Sequence, residues 1–414
     1  MRSGFLLIGV KSGITKSRLS SNDNSAIAGG KPLFDKRLPI ASPEGLPGDD
    51  FLGDVQKILQ SRRLTNGRFV RELESAAAAY LGVPHCVAVS NGTTGLVLTL
   101  RALGLQGEVI LPSFTFHATA HSVLWNGLKP VFADCDPETF CIHPQAVQAR
   151  FTPRTAAILG VHLFGSPASV AELEAIATSQ NAYLILDAAH AFGSKVDGRH
   201  VGTFGTAEIF SFSPTKLLVA GEGGLIATQD AVLARRLRAA RNYGDPGNYD
   251  PELLGLNARM SEFHAALALG GLDGLDARIE RRNQIRIHYL RRLAALPGLR
   301  FQQIRPGNRS ACKDFSVLVD ETAFGCSRDW LFDVLQKENI EVKRYFWPPV
   351  HRQLLFRNLW DGQPLPVTEQ ISDRVLNLPI YSSLLDEDVE RVCEAIFRAH
   401  ESAITGRKAK AFGA

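Results

Sequence analysis

From Val87 to Thr228 the chain alternates short apolar runs with stretches of helical periodicity. Seven runs read as strands: VAVS (87–90), EVILP (108–112), PVFADCD (130–136), AAILGVHLF (156–164), YLILDAA (183–189), EIFSFS (208–213) and GLIAT (224–228). Most are apolar on both alternating faces, the pattern of strands covered by helices on two sides. Between them, TTGLVLTLRALGL (93–105) and SVAELEAIATSQN (169–181) predict helices, and a long charged amphipathic stretch runs from about Met260 to Leu296. The pattern predicts an α/β fold with a mostly parallel sheet of about seven strands. After Gly298 the order changes to strand, strand, helix, strand and a last helix near residues 386–399, which reads as a smaller C-terminal α/β domain. The expected division is an N-terminal extension over 1–32, a large domain over 33–297, a small domain over 298–405 and a tail over 406–414.

Size and composition agree with two domains of a globular enzyme: 414 residues, 45% hydrophobic and 21% charged. The net charge of +4 comes from basic and acidic residues spread evenly, with no dense basic tract, so nucleic acid is not an expected partner. The six cysteines form no CxxC and no Cys/His spacing suited to zinc. No metal site is expected, and a reducing, cytoplasmic location fits. No apolar run approaches the ~18 residues of a membrane span. Near the N-terminus FLLIGV is broken by Lys11 and is shorter than a secretory core. The scarcity of acid there faintly resembles a transit peptide, but a mobile extension is the simpler reading.

In open α/β sheets, ligands bind outside the carboxyl ends of the strands. Three polar groups fall at such ends. Ser90-Asn91-Gly92-Thr93-Thr94 follows the first strand and opens a helix, where amides and threonine hydroxyls could hold a phosphate or merely cap the helix. Asp187 closes YLILD, where a buried carboxylate needs a positive partner: Mg²⁺, a ribose or a protonated heterocyclic nitrogen, unless it only caps the next turn. The chain has no GxxxxGK[ST], and the Gly221-Glu222-Gly223-Gly224 cluster precedes a strand rather than a helix, so nucleotide hydrolysis and dinucleotide binding both lose ground. The third group is SFSPTK (211–216), where Lys216 sits between apolar and small residues. A lysine with its ordinary pKa of about 10.4 is a poor nucleophile unless it is desolvated or joined in an imine. A phosphate cup, a strand-end acid and an apolar-flanked lysine are together what pyridoxal 5′-phosphate (PLP) requires.

The stretches LTNGRFVRELESAAAAYLGVPHCVAVSNGTTGLVL, LPSFTFHATAHSVLWNGLKPVFADCDPETF, GVHLFGSP, LILDAAHAFGS, FSFSPTKLLVAGEGGLIAT, ARNYG, GLNARMSEFHAALAL and LPVTEQISDRVLNLPIYSSLLDEDV occur in this order. Over residues 35 to 400 the chain resembles the DegT/DnrJ/EryC1/StrS sugar aminotransferases. That resemblance implies the fold-type I, aspartate-aminotransferase-like architecture and a homodimer with a shared active site. The implied activity moves an amino group from an amino acid, L-glutamate, to a keto-sugar linked to a nucleotide. Lys216 would carry PLP as an internal aldimine and shuttle the proton, and Asp187 would bind the pyridine nitrogen. Gly92, Thr93 and Ser211 match phosphate-binding positions, with Thr94 helping through its amide, and Phe116 matches an aromatic that stacks on the ring. Asn257 matches a residue that reaches the phosphate from the neighbouring subunit.

His190 stands where the family often has Gln near the phenolic oxygen, and Leu217 where Asn commonly follows the lysine. The lysine itself argues against the family's dehydratase branch, which has histidine there. Arg259 and His351 are candidate substrate contacts, each with a plain structural alternative as a salt-bridge partner or hydrogen-bonded histidine. Two rival functions stay in view: a PLP- or sugar-binding regulatory protein without turnover, and another lysine-imine enzyme such as an aldolase.

Overall fold

The computed structural model describes residues 26, 29–46, 48 and 50–411, with side chains to Thr405. Most of the expected N-terminal extension and the end of the expected tail lie outside the described residues.

All seven anticipated runs form one sheet: β1 (His85–Val89), β2 (Glu108–Pro112), β3 (Lys129–Ala133), β4 (Thr155–Val161) and β5 (Tyr183–Asp187), then, after the two-residue strands β6 (Lys195–Val196) and β7 (Arg199–His200), β8 (Ala207–Ser211) and β9 (Gly224–Thr228). The order across the sheet is β1-β9-β8-β5-β4-β2-β3. The pairs from β8 to β3 are parallel, whereas β9 runs antiparallel to both β8 and β1. This reversal places Gly224 opposite both Val89 and Ser211. The ends of β1 and β8 and the start of β9 therefore meet at one edge, with Asp187 two strands from β9.

Helices cover the sheet as the apolar patterning requires. The helix Gly92–Ala102 buries Leu96, Leu98 and Leu100 and packs on β8 and β9. The helix Val170–Ser179 matches its expected place. The long amphipathic stretch differs from one continuous helix: it splits into Glu262–Leu272 and Leu275–Leu293, broken at Asp273 and the left-handed Gly274. The break lets the first helix lie against Arg68–Leu81 while the second crosses towards the C-terminal part.

Beyond Gly298 lie β10 (Leu299–Phe301), β11 (Asn308–Arg309), β12 (Phe315–Val319), the helix Arg328–Lys337, β13 (Val375–Leu378) and the helix Asp386–Ala411. The last helix thus continues past the expected end near residue 399. The strands β10, β12 and β13 form an antiparallel sheet, while β11 pairs with β6 instead and ties this part to the larger one. The β6–β7 hairpin turns on Asp197-Gly198, both at positive φ, the pairing that suits a two-residue loop. One apolar cluster joins the small sheet to the last helix, and two earlier segments enter it: Phe34 and Leu38, and Ile285, Tyr289 and Leu293 of the long helix. Among the described residues no helix is long and apolar enough to cross a membrane.

Candidate active site

A cavity of about 410 Å³ opens at the edge where β1, β5, β8 and β9 meet. Gly92, Thr93, Thr94, Phe116, Asp187, His190, Ser211 and Lys216 all line it. Eight of the positions singled out in the sequence, spread over 125 residues of chain, thus converge on one hollow.

The helix start forms one wall. Asn91 caps it, accepting from the Thr94 N–H at 2.8 Å, and the Thr94 hydroxyl reaches back to Asn91. The Thr94 amide is therefore taken up by the cap, so its expected contribution to a phosphate is not free. The N–H groups of Gly92 and Thr93 have no recorded partner among the described residues. Unpaired amides at a helix N-terminus present positive charge to an anion. A close approach fixes this wall: a Cβ on Gly224 would lie 2.5 Å from the carbonyl carbon of Asn91.

The floor carries the acid. The Asp187 side chain is buried, with the Thr119 hydroxyl donating to Oδ2 at 2.8 Å and the Ala189 N–H to Oδ1 at 3.1 Å. Burial pushes its carboxyl above the usual carboxylate range, against those two hydrogen bonds. A cation set against it would hold it ionised.

The lysine lies on the loop between β8 and β9. Burial first, and the Lys313 ammonium second, bring the Lys216 amine down to about 7. His190 follows Asp187 by three residues, and its ring is parallel to Phe164 and Phe346. The Phe164 N–H donates to Nδ1 at 3.2 Å, which makes Nδ1 the acceptor and leaves the proton on Nε2. Burial, then Lys216 and Lys313, hold the imidazole well below its ordinary range, so it is neutral. Phe116 is 48% exposed at the rim, against His117 and Phe346.

A family model, the DegT/DnrJ/EryC1/StrS aminotransferase family, matches residues 47–397. The chain belongs to this family. It is 34% identical over 373 residues to an Escherichia coli dTDP-4-amino-4,6-dideoxy-D-glucose transaminase, covering 88% of this chain and 99% of that protein. It is 35% identical over 370 residues to a UDP-N-acetyl-3-dehydro-alpha-D-glucosamine 3-aminotransferase of Acidithiobacillus ferrooxidans, covering 89% of this chain and 97% of the other. Among solved structures, DesI in the presence of its TDP-sugar product superposes with a TM-score of 0.86 at 39% identity, over 94% of this chain and 99% of that one.

Three further positions singled out in the sequence do not line this cavity. Asn257 is exposed and pairs across an isolated bridge with Asn242. Arg259 donates to Asn242 Oδ1 at 2.7 Å and lines a second hollow of about 360 Å³ with Arg63, Arg238 and Arg241. His351 is fully buried: its Nδ1 shares a hydrogen bond with the Ser113 hydroxyl at 2.6 Å, and Nε2 meets Glu369 at 3.2 Å. The structural alternative for this histidine is the one its surroundings favour.

Thr119, Ser213 and Glu222 also reach the acid or the cavity and were not anticipated. Thr119 is one turn into the helix His117–Trp125, so the spacing from Phe116 held a usable signal. Glu222 was visible only as part of a glycine cluster. Lys313 follows no pattern at all.

Proposed function

We propose that the protein is a PLP-dependent aminotransferase that moves an amino group from an amino acid, L-glutamate, to a keto-sugar carried on a nucleotide. The observation that carries this reading is the meeting of Lys216, Asp187 and the two free helix amides in one cavity. The donor set fits the cofactor: amides at a helix start for a dianion, a buried acid that makes no ion pair among the described residues, and an amine brought down to about 7.

The phosphate would lie against the amides of Gly92 and Thr93 and the Ser211 hydroxyl, with Asn257 supplied by a second copy of the chain. Asp187, oriented by Thr119 and the Ala189 N–H, would pair with the protonated ring nitrogen. The His190 Nε2–H would donate to the phenolic oxygen, and Phe116 would cover a ring face. Bound there, the pyridine ring supplies an electron sink for the charge left when a substrate carbon loses its proton. The protein's own part is the proton itself. An uncharged Lys216 Nζ can accept the α-proton of the amino acid, and the resulting ammonium can return it, because its affinity lies near the working pH.

The nucleotide sugar is inferred from relatives that act on dTDP- or UDP-linked sugars. A dTDP-linked 4-keto-6-deoxyhexose is the first acceptor to try, since the E. coli relative is named for a 4-amino-4,6-dideoxy product. The chain is read as a large unit over 33–297 and a small one over 298–405, with Phe346 of the second meeting Phe116 at the cavity rim.

Borohydride treatment of the PLP-loaded protein followed by peptide mapping tests the proposal. The cofactor is expected on the peptide containing Lys216 and absent in Lys216→Ala. In a separate sample not treated with borohydride, glutamate should change the cofactor's absorbance, and a keto-sugar nucleotide should restore it. A protein that retains PLP yet is unchanged by every amino acid would be a binder rather than an enzyme.

A further inference from the structure

Thr115 and Thr119 are 1% and 0% exposed, yet each keeps a hydroxyl where valine, of nearly the same shape, would avoid the cost of burying a polar group. Neither hydroxyl serves the helix His117–Trp125 in the usual way. That helix starts without a side-chain cap, although Thr115 stands just before it. Thr119 lies inside the helix, where a threonine commonly donates to the carbonyl four residues back, as Thr99 does to Gly95 at 2.8 Å. Its proton goes instead to Asp187 Oδ2, also at 2.8 Å.

That donation gives the neighbouring bond a direction. The Thr115 and Thr119 hydroxyl oxygens lie 3.0 Å apart, and a hydroxyl has one proton to give. With the Thr119 proton on an ionised Asp187, the bond between the two threonines is donated by Thr115. Two O–H groups thus run in series from Thr115, which lines the cavity, into the acid. Hydrogen bonds in series polarise one another, so the first donor strengthens the second.

The series is fixed in place at both threonines. The Ser122 hydroxyl donates to the Thr119 carbonyl at 2.7 Å. Two residues before Thr115, the Ser113 hydroxyl accepts from the His351 N–H at 3.0 Å, and the Ser113 carbonyl accepts from the Val350 N–H at 2.9 Å. The C-terminal part of the chain thus clamps the segment that carries Thr115. At the acid, burial disfavours charge, and Thr119 opposes that effect first. The Ala189 N–H follows, then Lys216 from the β8–β9 loop and His162 from the end of β4.

We propose that Thr115 and Thr119 are positioning residues for amino transfer: their hydroxyls, acting in series, hold Asp187 as an oriented carboxylate, so that the proton it shares with the cofactor rests on the ring nitrogen. The inference rests on the reading of Asp187 as the partner of that nitrogen. Full-length protein is loaded with PLP isotopically labelled at the ring nitrogen, whose NMR shift reports how far it is protonated. Thr119→Val should move the shift towards the unprotonated position and lower kcat about tenfold, the weight of one hydrogen bond to a charged group. Thr115→Val, which leaves the Thr119–Asp187 bond in place, should move it the same way by less. Thr119→Ser keeps the donor and should restore the parent shift. A shift that stays put in folded Thr119→Val overturns the proposal, as does an equal displacement in Thr119→Ser; one that stays put in Thr115→Val removes Thr115 from it. Should Thr119→Val not fold, Thr115→Val decides. Failure of PLP to attach to Lys216 would instead count against the proposed function, and the series is then read without cofactor. The labelled carboxyl carbon of Asp187, identified by its loss in Asp187→Asn, should titrate about one pH unit higher in Thr119→Val and as the parent does in Thr119→Ser. Equal midpoints in Thr119→Val and the parent overturn the proposal there too.

Discussion

Asp187 and Lys216 are moved in opposite directions by the same cause: a low-polarity setting disfavours charge on either, raising the acid and lowering the amine. For Lys216 the consequence for stability has a definite sign. An unfolded chain holds that proton up to about pH 10, whereas the folded one releases it above about 7. Between these values the unfolded state binds more protons, so stability rises with pH through this window and the cost of burying the charge is complete below it. Thermal melts of cofactor-free protein should show Lys216→Met gaining most over the parent at or below about pH 7, with the gap closing towards about pH 10. At the neighbouring acid, Asp187→Asn keeps the shape and removes the charge. Turnover should fall by about a hundredfold while folding is retained, as steady-state kinetics and circular dichroism on the same preparation would report. Both residues were legible in the sequence because each ends an unmistakable strand or follows one. Lys313 was not, since a buried charge preceding an apolar strand leaves no periodic trace.

At the level of elements, the cavity depends on a strand reversal. β9 opposes β8 and β1, so the helix start after β1 and the lysine loop after β8 share one edge. The apolar runs announced all seven strands, but a run that is apolar on both faces does not state its direction, and the antiparallel β9 was invisible for that reason. The cap at Asn91 was one of the two readings its segment allowed, whereas the break at Gly274 turns on backbone conformation, which composition signals only faintly. Gly224 is where packing leaves no room for a side chain. In Gly224→Ala the new Cβ meets the Asn91 backbone, so the helix start must shift away from the cup. The expected result is about 1–3 kcal/mol of lost stability in denaturant titration together with weaker retention of PLP on dialysis. A stable variant holding its cofactor normally would show that the Gly224–Asn91 approach does not set the position of the helix start.

For the whole molecule, the proposed sharing of the site between two copies can be tested without a structure of the assembly. Asn257 lies outside the cavity of its own chain, as does the exposed Tyr249, 97% accessible, on the loop that precedes it. If Asn257 serves the other copy, Lys216→Ala and Asn257→Ala proteins should each be impaired, and unfolding and refolding them together should regenerate activity. Random pairing sets the ceiling at about a quarter of the parent value, because half the pairs are mixed and each mixed pair holds one intact site. No recovery, despite mixed dimers by mass, would confine the site to a single chain. The two-part architecture was readable from the change of pattern after Gly298. The mixing of the parts was not, because Phe34 and Leu38 join the C-terminal core through contacts about 300 residues apart in sequence.

The segment bearing Lys216 is a closed bracket: Phe212 donates to the Gly223 carbonyl at 2.8 Å, and Ala220 returns to Phe212 at the same distance. Its feet stand on adjoining strands, and Leu217, next to Lys216 in sequence, is packed into the interior. The address of the amine is thus inherited from the sheet rather than from whatever surrounds the acceptor. Such a layout separates the machinery that makes a reaction possible from the surfaces that choose its object, so descendants of one ancestor can change sugars by editing the periphery while the inherited centre stays as it was.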